Sequence, residues 1–111
     1  MIADFLHGLA RVAARHIDND NVIEALARLY WYTIEFGLVR EGGEVRVYGA
    51  GILSSISETQ FALSPAANRV PFNLGEVLAT EYIKDKFQQQ YFVLDSMDQL
   101  AENLDVLQTH W

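Results

Sequence analysis

Glu35 is the residue whose side chain is the clearest candidate for a chemical role. It is the single carboxylate in residues 29–38, LYWYTIEFGL, a run of mainly aromatic and aliphatic side chains. Wound as a helix, this run carries apolar side chains on every face, which predicts burial all round. A buried carboxylate needs an arginine, several hydrogen-bond donors or a metal ion to offset its desolvation. Glu35 is therefore a candidate metal ligand.

A simpler interpretation of Glu35 involves Arg28. Arg28, Trp31 and Glu35 are spaced three and four residues apart, so they share one face of a helix. This face could be the rim of the helix, where Glu35 meets water or reaches toward Arg28. Spacing alone favours the rim, because glutamate is rarely fully buried.

A second segment of interest is 47–55, VYGAGILSS, in which Gly49 and Gly51 flank one alanine. Glycines let the backbone pass close to another group, but glycine pairs near strand ends also form ordinary turns. Spacing alone leaves both interpretations open.

Segments 29–38 and 47–55 resemble the pterin-dependent aromatic amino acid hydroxylases, and among them most closely the bacterial phenylalanine hydroxylases. The resemblance continues through Tyr82 and residues 68–70, 87–88 and 91–96, so it covers nearly the whole chain. It implies that residues 1–111 are the C-terminal portion of a single catalytic domain. That domain would use Fe(II), tetrahydrobiopterin and molecular oxygen to hydroxylate phenylalanine to tyrosine.

The resemblance also implies a role for individual residues. Glu35 would be the carboxylate of an iron site with two histidines and one carboxylate. Tyr30 would lie close to the iron, and Ser54 could orient a histidine ligand from outside. The substrate-binding residues would be Trp31, Phe36, Gly51, Ser54 and Tyr82. Two alternatives stay open: Trp31 as a plain core residue and Tyr82 as a surface loop residue.

The two histidine ligands are missing from this sequence. The family takes them from a His-Asp-x-x-Gly-His-type helix that would precede Ile2, and no such motif occurs here. His7 and His16 lie nine residues apart on one predicted helix, about half a turn around it, so they cannot bind one ion together. His110 is nearly terminal. We therefore expect the chain alone to bind iron weakly and to lack hydroxylase activity.

Composition excludes several classes of function. With 111 residues, 50% of them hydrophobic, the chain is long enough for one domain or part of one. Its 15 acidic and 8 basic residues give a net charge of −7, which argues against binding nucleic acid through phosphate contacts. There is no cysteine for disulfides or thiolate metal sites, and no apolar run approaches the roughly twenty residues of a membrane span. We expect a cytoplasmic protein with no nucleic-acid or membrane partner.

The elements predicted around these motifs give a mainly α fold with a minor β component. Apolar spacing and capping residues predict helices at about 2–16, 22–36, 57–63 and from 97 onward, with helical turns after Asn73 as a cap. Ser54-Ser55, with Glu58 three residues later, has the spacing of a capping box before the helix at 57–63. A hairpin is expected to pair 38–40 with 44–48 through a tight turn at 41–43, and one further strand is expected at 91–94. Gly37 would end the second helix in a left-handed conformation.

Two functional hypotheses follow. In the first, the chain is part of a phenylalanine 4-monooxygenase that acts on phenylalanine and molecular oxygen, with Glu35 as an iron ligand. In the second, it is a non-enzymatic fragment or remnant domain that self-associates and binds no iron. Without the missing helix, Trp31 and Phe36 would expose an apolar patch that could pair chains into a homo-oligomer.

Overall fold

A computed structural model describes residues 2–82, 88 and 90–111 of the chain. The helices are α1 (Ile2–Arg15), α2 (Asp20–Tyr30), α3 (Ala50–Leu53), α4 (Ile56–Ala62), α5 (Leu74–Ala79) and α6 (Asp98–His110). The strands are β1 (Leu38–Glu41), β2 (Glu44–Val47), β3 (Arg69–Pro71) and β4 (Tyr91–Leu94). A π-helical turn (Trp31–Glu35) follows α2 directly. The prediction of a mainly α fold with a minor β component is confirmed. None of the helices in the described ranges is long and apolar enough to cross a membrane.

The sheet has the strand order β2-β1-β4-β3. β1 and β2 form the predicted hairpin, and its turn contains Gly42 and Gly43 with φ of 58° and 82°, a backbone region that glycine enters at little cost. β4 pairs in parallel with both β1 and β3, and its four residues are all buried. A continuous apolar run is typical of such a central parallel strand.

Side chains of α1, α2 and α6 share one hydrophobic core with Val39, Phe92 and Leu94 of the sheet. The apolar face of α1 buries Phe5, Leu9 and Val12, and this helix packs against both α2 and α6. Gly8 allows the α1–α6 contact to be close, because an added Cβ would overlap the side chain of Leu104. The apolar spacing of residues 2–16 therefore predicted the extent of α1 to within one residue.

The prediction that the second helix continues to Phe36 is wrong for its last residues. The α-helix ends at Tyr30, and the chain widens into the π-helical turn, in which the Phe36 amide donates to the Trp31 carbonyl at 2.9 Å. The fully buried Thr33 supports this turn, because its hydroxyl donates to the Leu29 carbonyl at 2.7 Å. π-helical turns of this kind occur frequently at functional sites.

Gly37 does not adopt the predicted left-handed conformation. Among the described glycines, positive φ is found at Gly42 and Gly43 alone. Gly37 serves close packing instead, because a Cβ there would overlap the Tyr48 ring and the Thr33 carbonyl oxygen.

The short helices are capped as their polar residues predict. The Ser55 side chain accepts the Glu58 amide at 3.2 Å at the start of α4, and Asn73 accepts the Glu76 amide at 3.0 Å at the start of α5. The predicted helix at 57–63 is therefore confirmed with a slightly earlier start. α3 and β3 were not predicted.

Candidate metal and substrate site

Glu35 lies at the end of the π-helical turn and is only half-buried. The Tyr30 hydroxyl donates to its Oε1 at 3.2 Å, and Tyr30 itself is 39% exposed. Burial first, then the charge of Glu35 and the hydrogen bond to it, raise the pKa of the Tyr30 hydroxyl. The prediction of burial all round is therefore wrong, because Tyr30 and Glu35 share an open side of the helix.

Arg28 is not the partner of Glu35. Its Nη1 donates to the Leu78 carbonyl at 3.1 Å, and its Nη2 lies 4.0 Å from the carboxylate of Glu24. The rim interpretation is right about exposure and wrong about the partner, since the hydrogen bond to Glu35 comes from Tyr30.

The glycines of segment 47–55 allow backbone to pass close to Glu35. A Cβ built on Gly51 would stand 2.9 Å from both Oε2 and the carbonyl oxygen of Glu35, and 3.0 Å from Cζ of Phe36. A Cβ on Gly49 would also crowd the Glu35 carbonyl, and the Gly49 amide donates to the Gly37 carbonyl at 3.1 Å. Close approach is thus the correct interpretation of these glycines, and Gly51 lies directly against the Glu35 carboxylate.

The aromatic candidates form one cluster beside Glu35. The Trp31 ring stacks on Tyr82 with centroids 4.5 Å apart and planes inclined by 17°, and meets Phe36 at 4.7 Å and 35°. Tyr82 is therefore not a free surface residue. Phe36 is only 8% exposed, so the prediction that Trp31 and Phe36 together form an exposed patch is wrong for Phe36. Two apolar side chains shortly after Gly51 in the sequence are more exposed: Leu53 at 59% and Ile56 at 80%.

Ser54 closes α3 and has an exposed side chain. Its hydroxyl donates to the Gly51 carbonyl at 2.9 Å. This local bond fixes the end of α3 beside Gly51. Orientation of a histidine by Ser54 remains a prediction.

The structure contains a buried polar network next to Trp31 that was not predicted from the sequence. Glu58 and Gln88 are 7% and 3% exposed, and Tyr91 is fully buried. Oε2 of Glu58 accepts hydrogen bonds from the Tyr91 hydroxyl at 2.7 Å and from the main-chain amide of Gln88 at 3.3 Å. The side-chain oxygen Oε1 of Gln88 accepts a hydrogen bond from Nε1–H of Trp31 at 2.9 Å. Burial, reinforced by the bond to Glu58, raises the pKa of the Tyr91 hydroxyl well above its ordinary range. In the sequence, Glu58 suggested only a helix cap.

Glu35 could serve as one ligand of a metal ion, but the described residues around it do not complete a metal site. In the described part of the chain, no group of three histidine, cysteine, aspartate or glutamate residues could hold a metal. His7 is exposed, and Nε2 of His16 lies 2.9 Å from a main-chain oxygen of Trp111, so neither joins Glu35. The His110 side chain and Phe87 lie outside the described residues.

Comparison with known proteins gives the class of protein. Residues 2–110 match the family model for the biopterin-dependent aromatic amino acid hydroxylases, so the chain belongs to this family.

Its relatives include phenylalanine-4-hydroxylases. The chain is 52% identical over 81 residues to that of Ralstonia nicotianae, covering 72% of this chain and 26% of the relative. It is 47% identical over 105 residues to that of Chromobacterium violaceum, covering 92% of this chain and 34% of the relative. The Chromobacterium violaceum enzyme solved with iron and phenylalanine is similar at a TM-score of 0.83 and 42% identity, covering 94% of this chain and 38% of that one. The chain therefore spans about a quarter to two fifths of the length of these relatives.

Proposed function

We propose that this chain is part of an iron- and tetrahydrobiopterin-dependent phenylalanine hydroxylase, in which Glu35 is the carboxylate ligand of Fe(II). The observation that carries the proposal is the position of Glu35. Its carboxylate stands on the open side of a π-helical turn, beside Gly51 and next to the cluster of Trp31 and Phe36. Family membership and a relative solved with iron and phenylalanine support it.

Tyr30 and Gly51 would prepare Glu35 for binding. The Tyr30 hydroxyl holds Oε1 and so limits rotation of the carboxylate, while Gly51 leaves room for Oε2. Preorganised ligands bind more tightly, because less conformational freedom is lost on binding. The two histidine ligands would come from a segment outside these 111 residues. Iron and the pterin, when bound, supply the redox chemistry that activates oxygen.

The aromatic cluster would bind the ring of phenylalanine. Trp31 is fixed on one side by Tyr82 and on another by Phe36, so it offers a rigid aromatic surface. Ring pairs at offset or edge geometry contribute about 0.5–1.5 kcal/mol beyond the burial of area. Gly51 and Ser54 would form the wall for the amino acid part of the substrate, and the exposed Ser54 hydroxyl would orient a histidine ligand.

The test is an assay of the complete protein that carries this chain, loaded with iron and pterin, on phenylalanine, tyrosine and tryptophan. We expect the highest kcat/KM with phenylalanine and its conversion to tyrosine. Preference for tyrosine or tryptophan would overturn the substrate assignment. A protein with its full complement of iron and no turnover of any of the three would overturn the enzymatic function and favour a non-enzymatic domain.

A further inference from the structure

Glu58 is a buried carboxylate that the proposed function does not use. Burial of an ionised carboxylate is costly unless hydrogen-bond donors compensate it. Two donors converge on its Oε2, the Tyr91 hydroxyl at 2.7 Å and the main-chain amide of Gln88 at 3.3 Å. Hydrogen bonds to a charged acceptor are roughly twice as strong as neutral ones, so Glu58 is a strong anchor for residue 88.

Gln88 connects this anchor to the aromatic cluster. Its main chain donates to Glu58, and its side-chain oxygen accepts Nε1–H of Trp31 at 2.9 Å. The same indole stacks on Tyr82 and meets Phe36. These contacts therefore connect the buried carboxylate of Glu58 to the aromatic surface that we propose binds the substrate ring.

We propose that Glu58 is a positioning residue that acts through Gln88 to fix the plane of the Trp31 indole. The proposal rests on the proposed function, because the ring surface of Trp31 is useful only if a substrate binds there. Glu58 does not touch the substrate. It sets the position of residue 88, and residue 88 sets the rotation of the indole. A misplacement of about 1 Å at a positioning group can cost about 100-fold in rate.

The variants separate positioning from stability. Glu58→Leu removes the acceptor for both donors. Glu58→Gln keeps one side-chain oxygen, which suffices because a single oxygen accepts both bonds, so it should rescue function. Glu58→Gln is therefore also the matched control, since it removes the charge and keeps an acceptor for the Gln88 main chain.

The experiment is a double-mutant cycle in the complete protein, with Trp31→Phe as the second change. Trp31→Phe keeps a ring and removes the N–H. We expect Glu58→Leu to lower kcat/KM for phenylalanine about 10- to 100-fold, with Glu58→Gln close to the unmodified protein. In the Trp31→Phe background, Glu58→Leu should add less than about threefold. An equal loss in both backgrounds would overturn the proposal, because it would mean that Glu58 acts independently of Trp31.

A readout without catalysis keeps the two proposals distinguishable. The emission of Trp31, obtained as the difference between each protein and its Trp31→Phe counterpart, should shift in Glu58→Leu and not in Glu58→Gln. An unchanged emission would contradict the positioning role. A different result would be a shifted emission while Trp31→Phe and Glu58→Leu leave KM and kcat unchanged. It would support the positioning of Trp31 by Glu58 and would overturn the proposal that Trp31 binds the substrate. If Glu58→Leu does not fold, Glu58→Asp takes its place, because it withdraws the carboxylate from the Gln88 main-chain amide by one methylene group. A loss that persists in the Trp31→Phe background then overturns the proposal.

Discussion

Gly51→Ala should disturb the Glu35 carboxylate directly. The new Cβ would stand 2.9 Å from Oε2 and from the carbonyl oxygen of Glu35, whereas ordinary contacts begin at 3.4 Å. A shift of about 0.5 Å is therefore required, and this equals the tolerance within which a binding constellation must be held. We expect iron affinity of the complete protein to fall about 10- to 100-fold, and the free energy of unfolding to fall by about 1–3 kcal/mol.

The assay for Gly51→Ala pairs iron titration with denaturant unfolding of the iron-free protein. Gly8→Ala is the matched control, because its Cβ would also overlap a neighbour, the Leu104 side chain in the α1–α6 contact. We expect Gly8→Ala to change stability and to leave iron affinity unaltered. Unchanged iron affinity in Gly51→Ala, together with the predicted loss of stability, would refute the reasoning, since it would mean that Gly51 supports the backbone and not the carboxylate.

Three further predictions concern the π-helical turn, the buried tyrosines and the isolated chain. Thr33→Val removes the buried donor to the Leu29 carbonyl and should lower the free energy of unfolding by about 1–3 kcal/mol in urea, where an unchanged value would contradict the role of this hydroxyl. Burial raises the pKa of Tyr48 and Tyr91 above the ordinary value of 10.0, so the unfolded chain releases these protons first. The contribution of these two tyrosines to stability should thus be full below pH 10.0 and fall as pH rises above it, less steeply in Tyr91→Phe; a flat profile above pH 10.0 by denaturant titration would contradict this. The chain alone should bind Fe(II) only weakly by calorimetry, because its described residues contain no group of three metal-ligating side chains, and micromolar or tighter binding would contradict this.

Local signals in the sequence predicted much of the fold. The apolar period of α1, the caps at Ser55 and Asn73, and the Gly42–Gly43 turn each depend on residues close together in the chain, and all were confirmed. β3 was missed because it has three residues, ends in an exposed proline and pairs only with the distant β4. Pairing between distant segments leaves little trace in either partner alone.

The site was predicted less completely. Apolar side chains on every face of 29–38 concealed the change from α to π geometry and the partial exposure of Glu35 at the end of the π-helical turn. Glu58 was missed because a helix cap already explained it, and its true partners lie 30 and 33 residues away. The glycines of 47–55 needed the structure to show that Gly51 adjoins a carboxylate.

Iron content of the Glu35→Gln variant of the complete protein tests the central claim most directly. The amide keeps the shape of the half-buried side chain and removes its charge, so stability should change little while iron binding is lost. Glu24→Gln is the control, since it makes the same chemical change at an exposed position of α2. By elemental analysis, we predict the full complement of iron in Glu24→Gln and almost none in Glu35→Gln. Full iron occupancy in a folded Glu35→Gln protein would contradict the assignment of Glu35 as an iron ligand.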